Sequence, residues 1–218
     1  MRSVLPFDEI NQLTEEIRSR FKERKRIDRE DIIDEMLDLF LLTYANANRV
    51  TGESLSYEYE PPLDEVLSVV DKEVAGKTWR ERAEEYLDEY ASAEGSGQTA
   101  STEVSESVNA AIGNAERKEP TDTWERITND LVRIIETESH RIANESALNT
   151  AGKAGATKKK WVTMMDDKVR DNHQFLEGQV IPYDADFYTP DGDHARAPGL
   201  FALPENCINC RCELTFEK

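Results

Sequence analysis

The sequence predicts an α+β protein: a mostly helical N-terminal two-thirds, followed by a small C-terminal unit of a long helix and short antiparallel strands. Three observations lead there. Apolar residues recur every three or four positions through most of the chain up to Ala151, the period of amphipathic helices. After Gly152 and Gly155 the period falls to two, in short runs rich in β-branched and aromatic residues between loops of Asp, Gly and Pro. All three cysteines then crowd into Cys207-Ile208-Asn209-Cys210-Arg211-Cys212 near the end of the chain.

Taken in order, Phe7, Ile10, Leu13, Ile17 and Phe21 mark a first helix from Pro6 to about Arg26. Asp28 is placed to cap a second, which carries Ile32, Ile33, Met36, Leu37, Phe40, Leu41 and Tyr44 and is expected to stop near Thr51-Gly52. Beyond Pro61-Pro62, Leu63, Val66, Leu67, Val70 and Val74 define a third helix, and Trp79, Tyr86, Leu87 and Tyr90 a fourth. Residues 92–103, rich in Ser, Gly and Thr, form a linker-like break, and a weak helix interrupted by Gly113 is expected over 102–118. The strongest pattern opens at Pro120 and Thr121, runs through Trp124, Ile127, Leu131, Ile134, Ile135, His140, Ile142, Ala143 and Ala147, and should remain helical to near Ala151. Strands are expected at Lys159 to Met165, Gln179 to Tyr183 and Cys212 to Phe216. The division that follows is a helical region 1–91, a linker and weak helix 92–119, and a C-terminal domain 120–218.

Composition narrows the function. A formal net charge of −18 and a pI near 4.6 repel phosphate backbones, so free-standing DNA binding is disfavoured, and such a surface suits solubility or docking onto a basic partner. The longest apolar patch, Met36 to Tyr44, is broken by Asp38 and is far short of a membrane span. The first nine residues lack the apolar stretch of a signal peptide, so export by that route is not expected. Three closely spaced cysteines cannot build a disulfide framework, and reduced thiols are the better expectation.

The cysteines are the chief candidates for chemistry. Cys207, Cys210 and Cys212 are soft ligands suited to zinc, and a tetrahedral site would need a histidine from among His140, His173 and His194. Cys210, Cys212 and His173 are the candidate core of such a site, although cysteines two apart give a poor bite. The alternative is that the thiols are small buried apolar groups in a terminal strand. A Cys-His-Asp nucleophile lacks any local signature. Asp166, Asp167, Asp171 and His173 could chelate magnesium, or simply serve as turn residues. Gly178, Gly192 and Gly199 follow no phosphate-cradling pattern, and Lys158-Lys159-Lys160 is expected to solvate a strand edge.

Read together, these C-terminal residues resemble the bacteriophage Mu F-like minor head protein family, the phage head morphogenesis proteins of the SPP1 gp7 type. The resemblance starts at Thr137-Glu138-Ser139-His140-Arg141 with Asn144 and continues through Lys160-Trp161-Val162, Asp166-Asp167-Lys168-Val169-Arg170 and His173. Gly178-Gln179-Val180-Ile181-Pro182, Phe187, Pro198-Gly199 and Pro204-Glu205-Asn206 follow, ahead of the closing Asn209-Cys210-Arg211-Cys212. It covers about residues 120–218 and leaves 1–119 unmatched.

The resemblance implies a structural motif of Glu138, Arg141, Asn144, Trp161, Asp166, Arg170, His173, Gly178, Asn209 and Arg211, with no catalytic residue. His173, Cys210 and Cys212 are its metal candidates, with zinc the candidate cofactor, and Cys207 and His194 fall outside the pattern. The implied function is that of a minor capsid protein of a tailed-phage head, located in the virion after assembly in the host cytoplasm. Its expected partners are the portal, scaffold or major capsid protein, with only weak, local contact to packaged DNA and none to membrane. The alternative is an enzyme, a metal-dependent hydrolase or toxin-like transferase effector carried in the virion.

Overall fold

The computed structural model describes residues 5, 7–22, 28–74, 76–96 and 123–218. It is α+β, with a helical array leading into a small unit of antiparallel strands. Helix α1 (Phe7–Lys22) buries Ile10, Leu13 and Ile17 on one face, as their spacing predicts. Helix α2 (Arg29–Leu55) starts where Asp28 accepts a hydrogen bond from the Glu30 N–H at 3.0 Å, satisfying one of the orphan donors of the first turn. It passes through the expected stop at Thr51-Gly52 and ends at Ser56, whose left-handed φ of 50° closes the helix. Gly52 serves close packing instead of termination: a Cβ there would lie 2.5 Å from the Tyr57 carbonyl oxygen.

Helix α3 (Leu63–Val70) is shorter than its apolar pattern suggests, because Val74 turns away into an isolated bridge with Lys77. Helix α4 (Trp79–Ser96) runs five residues past 91 into the stretch that reads as a linker, where nothing before Gly95 breaks a helix. Trp79 packs edge-on against Phe40 of α2, ring centroids 5.0 Å apart. The weak helix expected over 102–118 lies outside the described residues.

Helix α5 (Thr123–Lys153) is the longest element and organises the rest. Ile127, Leu131, Ile134, Ile135, Ile142 and Ala143 join residues of α1 to α4 in one hydrophobic core. Further along, Leu148 belongs to a second core with the C-terminal strands, and Ala151 packs with Leu55 and Ala156 in a small third. Polar bonds reinforce the α2 contact: Ser146 Oγ donates to the Tyr44 carbonyl at 2.8 Å and Thr150 Oγ1 to Asn48 Oδ1 at 2.6 Å. Gly152, read as a helix stop, sits inside the helix where the Tyr183 hydroxyl leaves no room for a Cβ.

The C-terminal sheet has the order β2-β1-β5, all antiparallel, from β1 (Lys158–Val162), β2 (Val180–Pro182) and β5 (Glu213–Glu217). Trp161 faces Leu214 across β1 and β5, and Lys159 faces Phe216. A second hairpin, β3 (Phe187–Tyr188) with β4 (His194–Ala195), was not expected. Short helices α6 (Asp171–Leu176) and α7 (Pro204–Cys207) sit in the connections. Among the described residues, no helix is long and apolar enough to cross a membrane.

Arg141 is the least conventional part of the interior, being only 1% exposed. Its Nε donates to Glu138 at 2.6 Å and its Nη1 to Glu145 at 3.1 Å. Its remaining bonds reach the Val69 and Val70 carbonyls, at 2.9 and 3.3 Å. Those carbonyls end α3, so the guanidinium satisfies orphan acceptors and sits at the negative end of the helix dipole. Arg82 pairs with the other oxygen of Glu138. Replacing Arg141 with Ala leaves the buried Glu138 with Arg82 alone and removes the side-chain donor to the Val69 and Val70 carbonyls, and is expected to cost about 3–5 kcal/mol in urea unfolding. The exposed Arg18→Ala should change stability by about 0.5 kcal/mol or less; equal effects would contradict the structural role given to Arg141.

Candidate functional site: a buried histidine and cysteine cluster

The strand-entry segment 207–212 folds against the long helix. α7 ends at Cys207, and Asn209 turns the chain with a left-handed φ of 56°, a conformation Asn tolerates better than most residues. Residues 210–212 then run without regular structure into β5, and alternation buries Cys210 and Cys212 while Arg211 stays half-exposed. Asn144 Nδ2 on α5 clamps this segment, donating to the Cys212 carbonyl at 3.0 Å and to His140 O at 2.9 Å. Arg170 holds the preceding turn through the Ile208 carbonyl at 2.6 Å.

His173, on α6, meets both thiols. Its Nδ1 lies 3.6 Å from Cys210 Sγ and 3.5 Å from Cys212 Sγ, and all three residues are 2% exposed. The ring is gripped by aromatic neighbours: Trp161 meets it edge-on at 5.4 Å between centroids, and Phe201 stacks at 5.7 Å. Trp161 itself packs edge-on against Phe187 at 5.1 Å. Electrostatics within the cluster are polarised. The Cys212 thiol and the His173 ring hold Cys210 well below the ordinary thiol range, against the cost of its burial. Cys212 is pushed up by its partner thiolate and by burial.

The other cysteine and histidines stand apart. Cys207 donates to the Phe201 carbonyl at 3.1 Å, and burial pushes its thiol up to about 12. His194 is exposed, paired with Asp186 at 3.0 Å and stacked on Tyr188. Burial draws the His140 ring down to about 4, with nearby Cys210 pulling the other way, so it is neutral at ordinary pH.

The acidic run does not converge on His173: among the described residues the three-member metal-capable group is His173, Cys210 and Cys212. Asp166 instead makes a two-pronged ion pair with Arg211 at 2.8 and 2.6 Å, which lowers its carboxyl below the usual range. Of the motif residues, Trp161, Asp166, Arg170, His173, Asn209 and Arg211 thus surround Cys210 and Cys212. Glu138, Arg141 and Asn144 lie on the facing helix. Gly178 ends the turn before β2, where its N–H donates to Trp161 O at 3.0 Å.

Two supporting features escape a reading of the sequence. Asn206, fully buried, donates to Asp191 at 3.2 Å and Asp193 at 3.1 Å, while Asp193 accepts from the backbone of Ala202 and Leu203. This knot ties the β3–β4 hairpin to α7; the Pro190-Asp191-Gly192 turn was its only sequence signal. Lys159, expected to solvate an edge, is wholly buried because it shares the inner face of β1 with Trp161. Its Nζ donates to Arg196 O at 2.8 Å beside the rings of Tyr183 and Phe187, and burial, with Arg196 adding to it, draws its pKa down to about 8.

Residues 121–215 match the family model described as "Phage Mu protein F like protein". This segment is similar to the phage Mu F-like family. It contains all of the motif residues and the three metal candidates named above. The chain is 30% identical over 83 residues to the minor head protein GP7 of Bacillus phage SPP1, covering 37% of this chain and 27% of that one. It is also 28% identical over 158 residues to a protein of Enterococcus faecalis (strain ATCC 700802 / V583) named NAD(+)–arginine ADP-ribosyltransferase EFV, covering 68% of this chain and 30% of that one. The chain therefore spans under a third of the length of either relative. No solved structure matches.

Gly199 brings the loop ahead of α7 close against the backbone of α5. Its φ is +80°, and a Cβ there would lie 3.1 Å from the Arg141 Cα, in backbone that cannot yield. Gly178 has a similar φ of +76° but open space around it. Urea unfolding of Gly178→Ala should show a loss of about 1 kcal/mol, from backbone strain alone, and Gly199→Ala should lose about 2 kcal/mol or more. Equal losses would mean that the Gly199–Arg141 approach is not required.

Proposed function

We propose that this chain is a minor head protein of a tailed bacteriophage, a structural component that joins portal, scaffold or major capsid protein during head assembly. The observation that supports this reading most is the match of residues 121–215 to the phage Mu F-like family, together with the similarity to a phage minor head protein. The geometry accords with a building role. The motif side chains spend their polar groups on each other and on backbone carbonyls, as in Arg141 on Val69, Asn144 on Cys212 and Arg170 on Ile208. Groups engaged in this way fix a surface; they are not free to turn over a substrate. The net charge of −18 makes a protein surface a better partner than packaged DNA. On this reading the protein resides in the virion head and assembles in the bacterial cytoplasm.

The relative named as an ADP-ribosyltransferase motivates the enzymatic alternative, an effector carried in the virion. Against it, His173, Cys210 and Cys212 are buried and Asp166 is committed to Arg211, so the cluster presents no exposed base or nucleophile.

Co-expression with the portal, scaffold and major capsid proteins of the same phage tests the proposal. The protein should sediment with proheads or with the isolated portal, and Arg211→Ala, which frees Asp166 at the surface, should leave that association within a few-fold of wild type. Absence from both the portal and prohead fractions would overturn the proposal. Transfer of label from NAD+ to host proteins by the purified chain would favour the alternative.

A further inference from the structure

We propose that His173 Nδ1, Cys210 Sγ and Cys212 Sγ together bind one borderline-soft divalent cation, zinc by class, whose fourth position opens onto the cleft beside them. The inference is independent of any role in head assembly.

It rests first on distance. Zinc–sulfur bonds of about 2.3 Å and zinc–nitrogen bonds of about 2.0–2.1 Å at tetrahedral angles place sulfur and nitrogen roughly 3.5–3.6 Å apart. The two observed separations are 3.6 and 3.5 Å. All three ligand atoms lie within 4.8 Å of one another.

The second argument is valence. A single Nδ1 has one lone pair or one hydrogen, so it can satisfy one thiol well but not two at equal distance. A cation at the centre of the three atoms satisfies them all. It would also account for the orientation of the ring, which aims Nδ1 at both sulfurs.

Local chain geometry supplies the bite that the Cys-x-Cys spacing alone lacks. Residues two apart in extended backbone share a face, and the left-handed turn at Asn209 delivers that face to α6. Cys207 is turned away onto Phe201 O and is not a ligand. Lys168, Val169, Arg170, Asn209 and Arg211 line the cleft, which admits about a single water-sized ligand. A fourth ligand on that side is small, of the size of a water molecule. With two thiolates the bound ion is neutralised, so the ion and its ligands would add no net charge beside Arg170 and Arg211.

The test uses the full chain purified under reducing conditions and titrated with Co2+ as the probe. The wild type should bind about one equivalent with sulfur-to-cobalt charge-transfer absorption, lost again when Zn2+ displaces it, as expected for thiolate coordination. Cys207→Ser should bind as wild type does, and Cys210→Ser/Cys212→Ser should lose the absorption. Because the double variant could also fail to fold, the wild type decides the matter. Folded wild type that takes up less than about half an equivalent, or binds cobalt without sulfur absorption, overturns the proposal. So does a Cys210–Cys212 disulfide that persists under reductant.

Discussion

The seven consecutive residues of α5 from Glu138 to Asn144 are all buried. A helix reaches that state only when something packs on every face, and most surface helices keep one side for water. Here α3 and α4 cover one side and the strand-entry segment another, with the contents of the buried stretch divided between them. Ile142 and Ala143 go to the helical core, Arg141 to the end of α3, and Asn144 to the carbonyl of Cys212. A charged guanidinium in such a place would be prohibitive alone. It persists because Glu138, Glu145 and two backbone carbonyls meet its donors. The helical array and the strand unit are therefore two coverings of one helix.

That constraint explains the character of the cluster. His173, Cys210 and Cys212 come from segments with little regular structure of their own: a six-residue helix and an irregular run before an edge strand. Their positions are set by partners. Asn144 fixes the cysteine backbone, Arg170 the turn before it, and Trp161 and Phe201 the imidazole plane. A site built so far inside the packing suits cohesion of the fold.

Much of this was legible in the sequence, for identifiable reasons. Long apolar periodicity located α1, α2, α4 and α5, since a repeat sustained over many turns has few alternative explanations. Termination was harder to read. Gly52 and Gly152 look like helix ends, yet each lies within a helix because a neighbour needs the space of its missing side chain. Alternation located the three-stranded sheet, but its polar content misled: the Lys-rich run conceals Lys159 on the inner face, where a carbonyl and two rings receive its ammonium. The β3–β4 hairpin, with two residues per strand, is too short to leave a periodic signal and is held by the buried knot around Asn206. Motif residues spread from Glu138 to Arg211 were readable as a set from resemblance. Which of them touch depends on tertiary packing, and spacing carries no information on it.

The central claim is that α5 welds the helical array and the strand unit into one cooperative structure. Native-state hydrogen exchange across a urea series tests it most directly, by comparing the amides of Phe40 in α2 with that of Trp161 in β1. The account predicts that both converge on a single global opening with the same free energy and the same dependence on urea. A strand unit that opens at much lower free energy while α2 and α5 stay protected would contradict it.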